Sequence, residues 1–206
     1  MSYNKFKIKD LETKLSLKVV QKAWLPDTFP IFAEDHLLAQ TLVYTETEAL
    51  FSEKARSEFI IAPVLQAFRR SNMEHFSIFS GYEFNIDKSI ELNGFCDFIL
   101  SAVPYSLTIE APTFLVVEAK KMEPDVNDLA QCGAEMYAAR IFNEREGKPQ
   151  SAIYGCATSG FSWAFLKLEG QILSIDPNYV PLTFRNPNEV LATLQWILNQ
   201  MLKEKG

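Results

Sequence analysis

At 206 residues, the chain is long enough for one well-packed domain, and 48% hydrophobic against 22% charged residues is an ordinary globular balance with no sign of disorder. A formal net charge of −6, from 20 basic and 26 acidic residues, argues against a protein that coats nucleic acid through a global positive field. It leaves room for a local basic cleft, for which Lys54-Ala55-Arg56, Arg69-Arg70, Lys120-Lys121 and Arg140 are candidates. No apolar run approaches the length of a membrane span, and Met1-Ser2-Tyr3-Asn4-Lys5-Phe6-Lys7 has no apolar secretory core, so a cytoplasmic protein without membrane association is expected. The three cysteines, Cys96, Cys132 and Cys156, match no zinc spacing and read chiefly as core thiols of a reducing compartment.

Residues 1 to about 44 carry the weakest patterns. Lys9 to Leu15 fits a short helix and Leu17 to Val20 a strand, while Pro26 and Pro30 break regular structure. The segment is expected as an extension packed on a core of residues 45–206 through Trp24, Phe29 and Phe32, the whole chain forming one domain. Thr45-Glu46-Thr47-Glu48 has capping-box spacing, which predicts a helix running on to Phe68 with a kink at Pro63. Glu58 shares a helical face with Ala62 and Leu65, which would turn a carboxylate toward the core.

Strands are predicted over Phe76 to Phe84, Leu92 to Ser101, Phe114 to Lys121 and Ser151 to Thr158. A helix from Val126 to Phe142 separates the last two. Phe161 to Gln171 and Ile172 to Ile175 read as a strand and its return, and Asn186-Pro187-Asn188-Glu189 starts a final helix. The apolar stripe of that helix, Val190, Leu191, Leu194, Ile197, Leu198 and Met201, reads as core packing, with a homodimer face as the alternative. The order predicts an α/β fold with a mixed central sheet flanked by helices.

Two of these strands carry acids that their surroundings do not explain. Asp97 interrupts the aromatic, apolar run Phe95 to Leu100, and Asp is depleted in strands. Phe114-Leu115-Val116-Val117 then runs directly into Glu118-Ala119-Lys120, whose charged side chains share one face of the strand. Charges on a covered sheet face are costly without compensation. A salt-bridged strand end is the plain reading; a divalent-metal site with a cationic helper is the functional one.

Asp97 followed by Glu118-Ala119-Lys120 resembles the Asp…Glu-x-Lys core of the PD-(D/E)XK nuclease superfamily, with Cys96 where the loosely kept proline of that pattern would stand. Ser57 to Leu65 resembles the helix ahead of that core in type I restriction motor subunits. The likeness spans about Glu46 to Gly170. It implies a restriction-endonuclease-like core in αβββαβ order and a Mg²⁺-dependent endonuclease, with Mn²⁺ able to substitute, acting on DNA. It further implies that Asp97, Glu118 and the Ala119 carbonyl hold the ion, that Lys120 serves the chemistry, and that Gln131 and Glu58 border the site. In one branch a tyrosine follows that glutamine by four residues; position 135 is Glu instead. A non-catalytic module of the same fold, binding a partner protein or nucleic acid, is the rival expectation.

Overall fold

A computed structural model describes residues 3–29, 32 and 35–203. Helix α1 (Ile8–Lys14) opens with the Asp10 carboxylate accepting the Lys7 N–H at 3.0 Å and leads into strand β1 (Lys18–Gln21). Helix α2 (His36–Thr45) is capped by Asp35, whose carboxylate accepts the Leu38 N–H at 2.8 Å. A second helical stretch begins at Ser52, whose hydroxyl accepts the Ala55 N–H at 3.0 Å. It runs as α3 (Glu53–Arg56), a wide turn over Ser57–Ile61, and α4 (Ala62–Arg70).

Thr45 therefore ends one helix instead of starting another. Its hydroxyl bonds back to the Thr41 carbonyl at 2.9 Å, a habit of threonine inside helices that competes with capping. The same hydroxyl lies 3.2 Å from the Phe59 carbonyl, the group that Pro63, having no N–H, leaves without its usual helical donor. The Ala62 N–H reaches past that gap to the Ser57 carbonyl, which is the wide turn.

The remaining elements are β2 (Ser77–Glu83), β3 (Phe95–Ser101), β4 (Thr113–Ala119), α5 (Val126–Arg145), β5 (Ala152–Thr158), β6 (Ser162–Glu169), β7 (Ile172–Ile175), β8 (Val180–Pro181) and α6 (Asn188–Lys203). They form one open, mixed, eight-stranded sheet in the order β1-β7-β6-β5-β4-β3-β2, with β8 also on β6. Pairings β4–β5 and β1–β7 are parallel and the others antiparallel. The α/β class and the flanking helices thus follow the strand order that the sequence predicts.

The segment up to residue 44 is woven into this sheet: β1 forms its edge, and Tyr3, Phe6, Leu11, Leu15 and Leu17 are buried under one face. Trp24 and Phe29 pack partly buried against the opposite face, where Phe32 is buried; Pro30 lies outside the described residues. That opposite face carries α4 and the whole apolar stripe of α6, so the stripe is core.

Helix α5 lies over β4 and β5 on the sheet face that also carries α1, and its placement is tightly specified. A Cβ at Gly155 of β5 would stand 2.7 Å from Cys132 Sγ and closer still to Met136 Sδ, so only glycine lets the helix approach this far. Near the other end, the Asn143 side chain accepts the Thr113 N–H and donates to the Thr113 carbonyl, each at 2.7 Å. Gln131 is carried to the end of β4 by these contacts.

Candidate metal site

Antiparallel pairing aligns Phe98 with Val117, so one step further along the two strands Asp97 comes beside Glu118. The backbone ladder stops there. The Ala119 N–H is accepted instead by Asp97 Oδ2 at 2.7 Å, so the carboxylate completes the strand pair. On the other side β4 stays paired with β5 to Ala119 and Thr158, and the Lys120 N–H reaches the Thr158 carbonyl at 2.8 Å. Every residue of β4 is buried, which makes the polar end of this strand unusual.

Lys120 Nζ donates to Glu118 Oε1 at 2.9 Å and to Gln131 Oε1 at 3.0 Å, with Asp128 Oδ1 at 3.7 Å. The Gln131 amide nitrogen donates to Glu118 Oε1 and, at 3.1 Å, to Glu135 Oε1. The ammonium can only donate and the carboxylates accept, so the amide orientation is chemically determined. These side chains are well covered: 13% of the Lys120 side chain and 7% of that of Glu118 remain exposed. Two buried oxygens, Glu118 Oε2 and Glu135 Oε2, have no hydrogen-bond partner.

Burial dominates the electrostatics. It pushes the Glu118 carboxyl up to about 8, helped by the Asp97 charge and opposed by Lys120. Burial likewise raises Asp97 above the carboxylate range, against the Ala119 N–H, the Lys120 charge and, once either acid is protonated, a hydrogen bond between Asp97 and Glu118. Glu135 is raised well above it, by burial first and Glu118 second. For Lys120 burial pulls downward, but the charge and hydrogen bond of Glu118 and the charges of Asp128 and Glu53 outweigh it, and the ammonium is strengthened. The site gathers more carboxyl groups than its one buried ammonium could neutralise, so burial and mutual repulsion keep protons on them.

Asp97, Glu118, Ala119, Lys120 and Gln131 are thus brought together. Glu58 is not. Its side chain is 53% exposed and pairs with Lys54 at 2.7 Å. It sits in the wide turn, where the extra residue shifts the helical face on which it would have aligned with Ala62 and Leu65. The acid that this helix does present to the site is Glu53, whose carboxyl is raised by partial burial and by Asp97 and Asp128 and lowered by Lys120. Glu53 is an exposed residue, so water tempers that shift, which chiefly marks its proximity to those charges.

Sequence reasoning also missed Asp128 and Glu135. Glu135 had a visible signal: a carboxylate one turn beyond Gln131, between Ala134 and Met136 in an otherwise apolar helix stretch. His36 and His75 are exposed, and both are outside the network described above.

Among the described residues, no group of three or more His, Cys, Asp and Glu side chains is arranged to hold a metal ion. Two hard carboxylates on adjacent strand ends, one of them bonded to the Ala119 backbone, nevertheless suit Mg²⁺, which takes few protein ligands and keeps several waters. The unpartnered Glu118 Oε2, beside the Asp97 carboxyl, is the position such an ion would satisfy. Compared with known proteins, the chain matches no protein-family model and no curated protein.

Proposed function

We propose that this chain is a Mg²⁺-dependent phosphodiesterase that hydrolyses DNA, built on a restriction-endonuclease-like core of the PD-(D/E)XK type. The observation that carries this reading is Glu118 Oε2: a buried carboxylate oxygen without a partner, next to a second buried acid. A buried polar oxygen left without a partner is costly unless a ligand satisfies it. Asp97, Glu118 and the Ala119 carbonyl would hold Mg²⁺ or Mn²⁺, which when bound supplies Lewis acidity and a more acidic water.

The protein's own groups divide the remaining work. Asp97 keeps the ends of β3 and β4 together through the Ala119 N–H, which fixes the spacing of the two acids. Lys120 presents a desolvated ammonium two residues beyond Glu118, positioned to orient a water and to offset charge that develops on a phosphoryl group. Gln131 holds that ammonium with its carbonyl oxygen while its amide nitrogen holds Glu118, and so sets their relative position. Glu135 anchors the amide from beneath.

Purified protein should cleave DNA with Mn²⁺ or Mg²⁺ and not with EDTA, and Asp97→Asn should abolish cleavage. Asn can still accept the Ala119 N–H, so loss of activity in a folded variant isolates the charge. A second reading is a non-catalytic module of the same fold. It is favoured by the closed contacts of Lys120, whose ammonium is already engaged by Glu118, Gln131 and Asp128. No cleavage by the folded wild type with either ion would select it.

A further inference from the structure

We propose that the strand taken by this site is single-stranded nucleic acid, held by stacking of its bases on exposed aromatic side chains around the acid cluster. The inference rests on the nuclease reading above and names its substrate class.

The antiparallel pairing of β3 and β4 puts the start of the first and the end of the second at the same end of the sheet. Large apolar side chains are exposed on the elements that meet there. Phe95, the first residue of β3 and two before Asp97, is 67% exposed. Phe51, two before Glu53 and just ahead of the α3 cap, is 82% exposed. Met122, two beyond Lys120, is 67% exposed. Tyr82, in register with Cys96 across β2 and β3, is also exposed. Single exposed apolar residues are ordinary on a protein surface. Phe95 and Phe51 stand two residues from Asp97 and Glu53, and exposed apolar side chains on elements that end at one charged cluster mark an interaction site.

The charges at this end disfavour a duplex. Double-stranded nucleic acid is gripped mainly through its phosphates by Lys and Arg. The cations at this end are already engaged: Lys120 with Glu118, and Lys54 with Glu58. The Arg56 guanidinium donates to the carbonyls of Leu50 and Ser159 at 3.0 and 3.3 Å. Exposed Lys121 approaches Glu53 through its backbone and is followed closely in sequence by Glu123 and Asp125. Bases in a duplex are stacked on each other and hidden from such rings. Unpaired bases each offer a face to an aromatic side chain, a contact worth ~1–3 kcal/mol per base that does not draw on phosphate charge.

The test uses the full chain with a labelled thymidine homopolymer and a duplex of equal length. Binding is followed by fluorescence anisotropy with Ca²⁺ in place of Mg²⁺, and cleavage separately with Mn²⁺. The single strand should bind more tightly, and Phe51→Ala and Phe95→Ala should each weaken it roughly 5- to 150-fold. Both side chains are exposed and lie outside the acid network, so the variants should fold; a far-ultraviolet spectrum and melt verify this. Equal or tighter duplex binding, an absence of single-strand binding, or unchanged binding by both variants overturns the proposal. Failure of the catalytic reading looks different. Single-strand binding that depends on Phe51 and Phe95, without Mn²⁺-dependent cleavage, would keep the stacking surface and discard the nuclease. Mn²⁺-dependent cleavage with unchanged variants would do the reverse.

Discussion

Replacing Glu118 by Gln isolates the cost of burying a charge at the end of β4. The side chains are nearly isosteric, and the amide oxygen can still accept from Lys120 Nζ. The Glu118 carboxyl ionises near 4.5 when unfolded and is raised to about 8 by folding, so the folded state binds this proton more tightly. Its contribution to stability is therefore fully present below the unfolded value and is lost as pH rises through the folded one. Between about pH 5.5 and about pH 8 this linkage amounts to ~3 kcal/mol of lost stability. At about pH 5.5 Glu118 is protonated in the folded state, so Glu118→Gln exchanges one neutral acceptor for another and costs little there. Lys120 is raised above its ordinary 10.5 and stays charged throughout that window. Urea denaturation in EDTA at the two pH values is the assay. Wild type should lose ~3 kcal/mol more than Glu118→Gln between them. Parallel losses in the two proteins would refute the claim that Glu118 is a buried, destabilised acid.

Lys120→Met removes an ammonium and no proposed ligand, so Mn²⁺ binding should persist while the cleavage rate falls ~10²–10³-fold. Wild-type cleavage by that variant would reduce Lys120 to an ion-pair partner of Glu118. Glu135→Leu should raise stability at alkaline pH by something like 1–4 kcal/mol, because Glu135 is fully buried with one oxygen unpartnered; a destabilised variant in urea melts would contradict this. Gly155→Ala should cost ~1–3 kcal/mol, since the new methyl meets Cys132 and Met136 where α5 rests on β5. An unchanged urea midpoint would mean that α5 does not sit as closely as described. Added Mg²⁺ should raise the melting temperature more at pH 8 than at pH 6, because the ion competes with the raised proton of Glu118. A shift independent of pH would separate metal binding from this carboxyl.

What could be read from the sequence was local and apolar. β3 and β4 announced themselves as hydrophobic runs, and Asp97, Glu118 and Lys120 stood out because charges inside such runs need a reason. Gln131 followed from the resemblance, and the structure brings it to Lys120. What could not be read depends on distant parts of the chain. The pairing of β1 with β7 joins residues more than a hundred positions apart, so the first segment looked like an appendage. Glu53 reaches the charged end of β4 only through tertiary packing, and nothing around it in sequence distinguishes it from Glu58. The misplacement of Glu58 has a single physical source. A helical wheel assumes unbroken i, i+4 spacing, and the wide turn beside Pro63 adds a residue to it. Thr45 misled for a related reason, because the same hydroxyl can cap a helix or bond back within one.

The central claim is that Asp97 and Glu118 together hold a divalent ion. Electron paramagnetic resonance of Mn²⁺ titrated with the protein at about pH 8, above the ordinary carboxylate range, measures it directly. The free-ion signal should diminish as wild-type protein is added. Asp97→Asn and Glu118→Gln should leave that signal largely intact, while Lys120→Met should still diminish it. A free Mn²⁺ signal undiminished by folded wild-type protein, or one equally diminished by Asp97→Asn, would contradict the metal site.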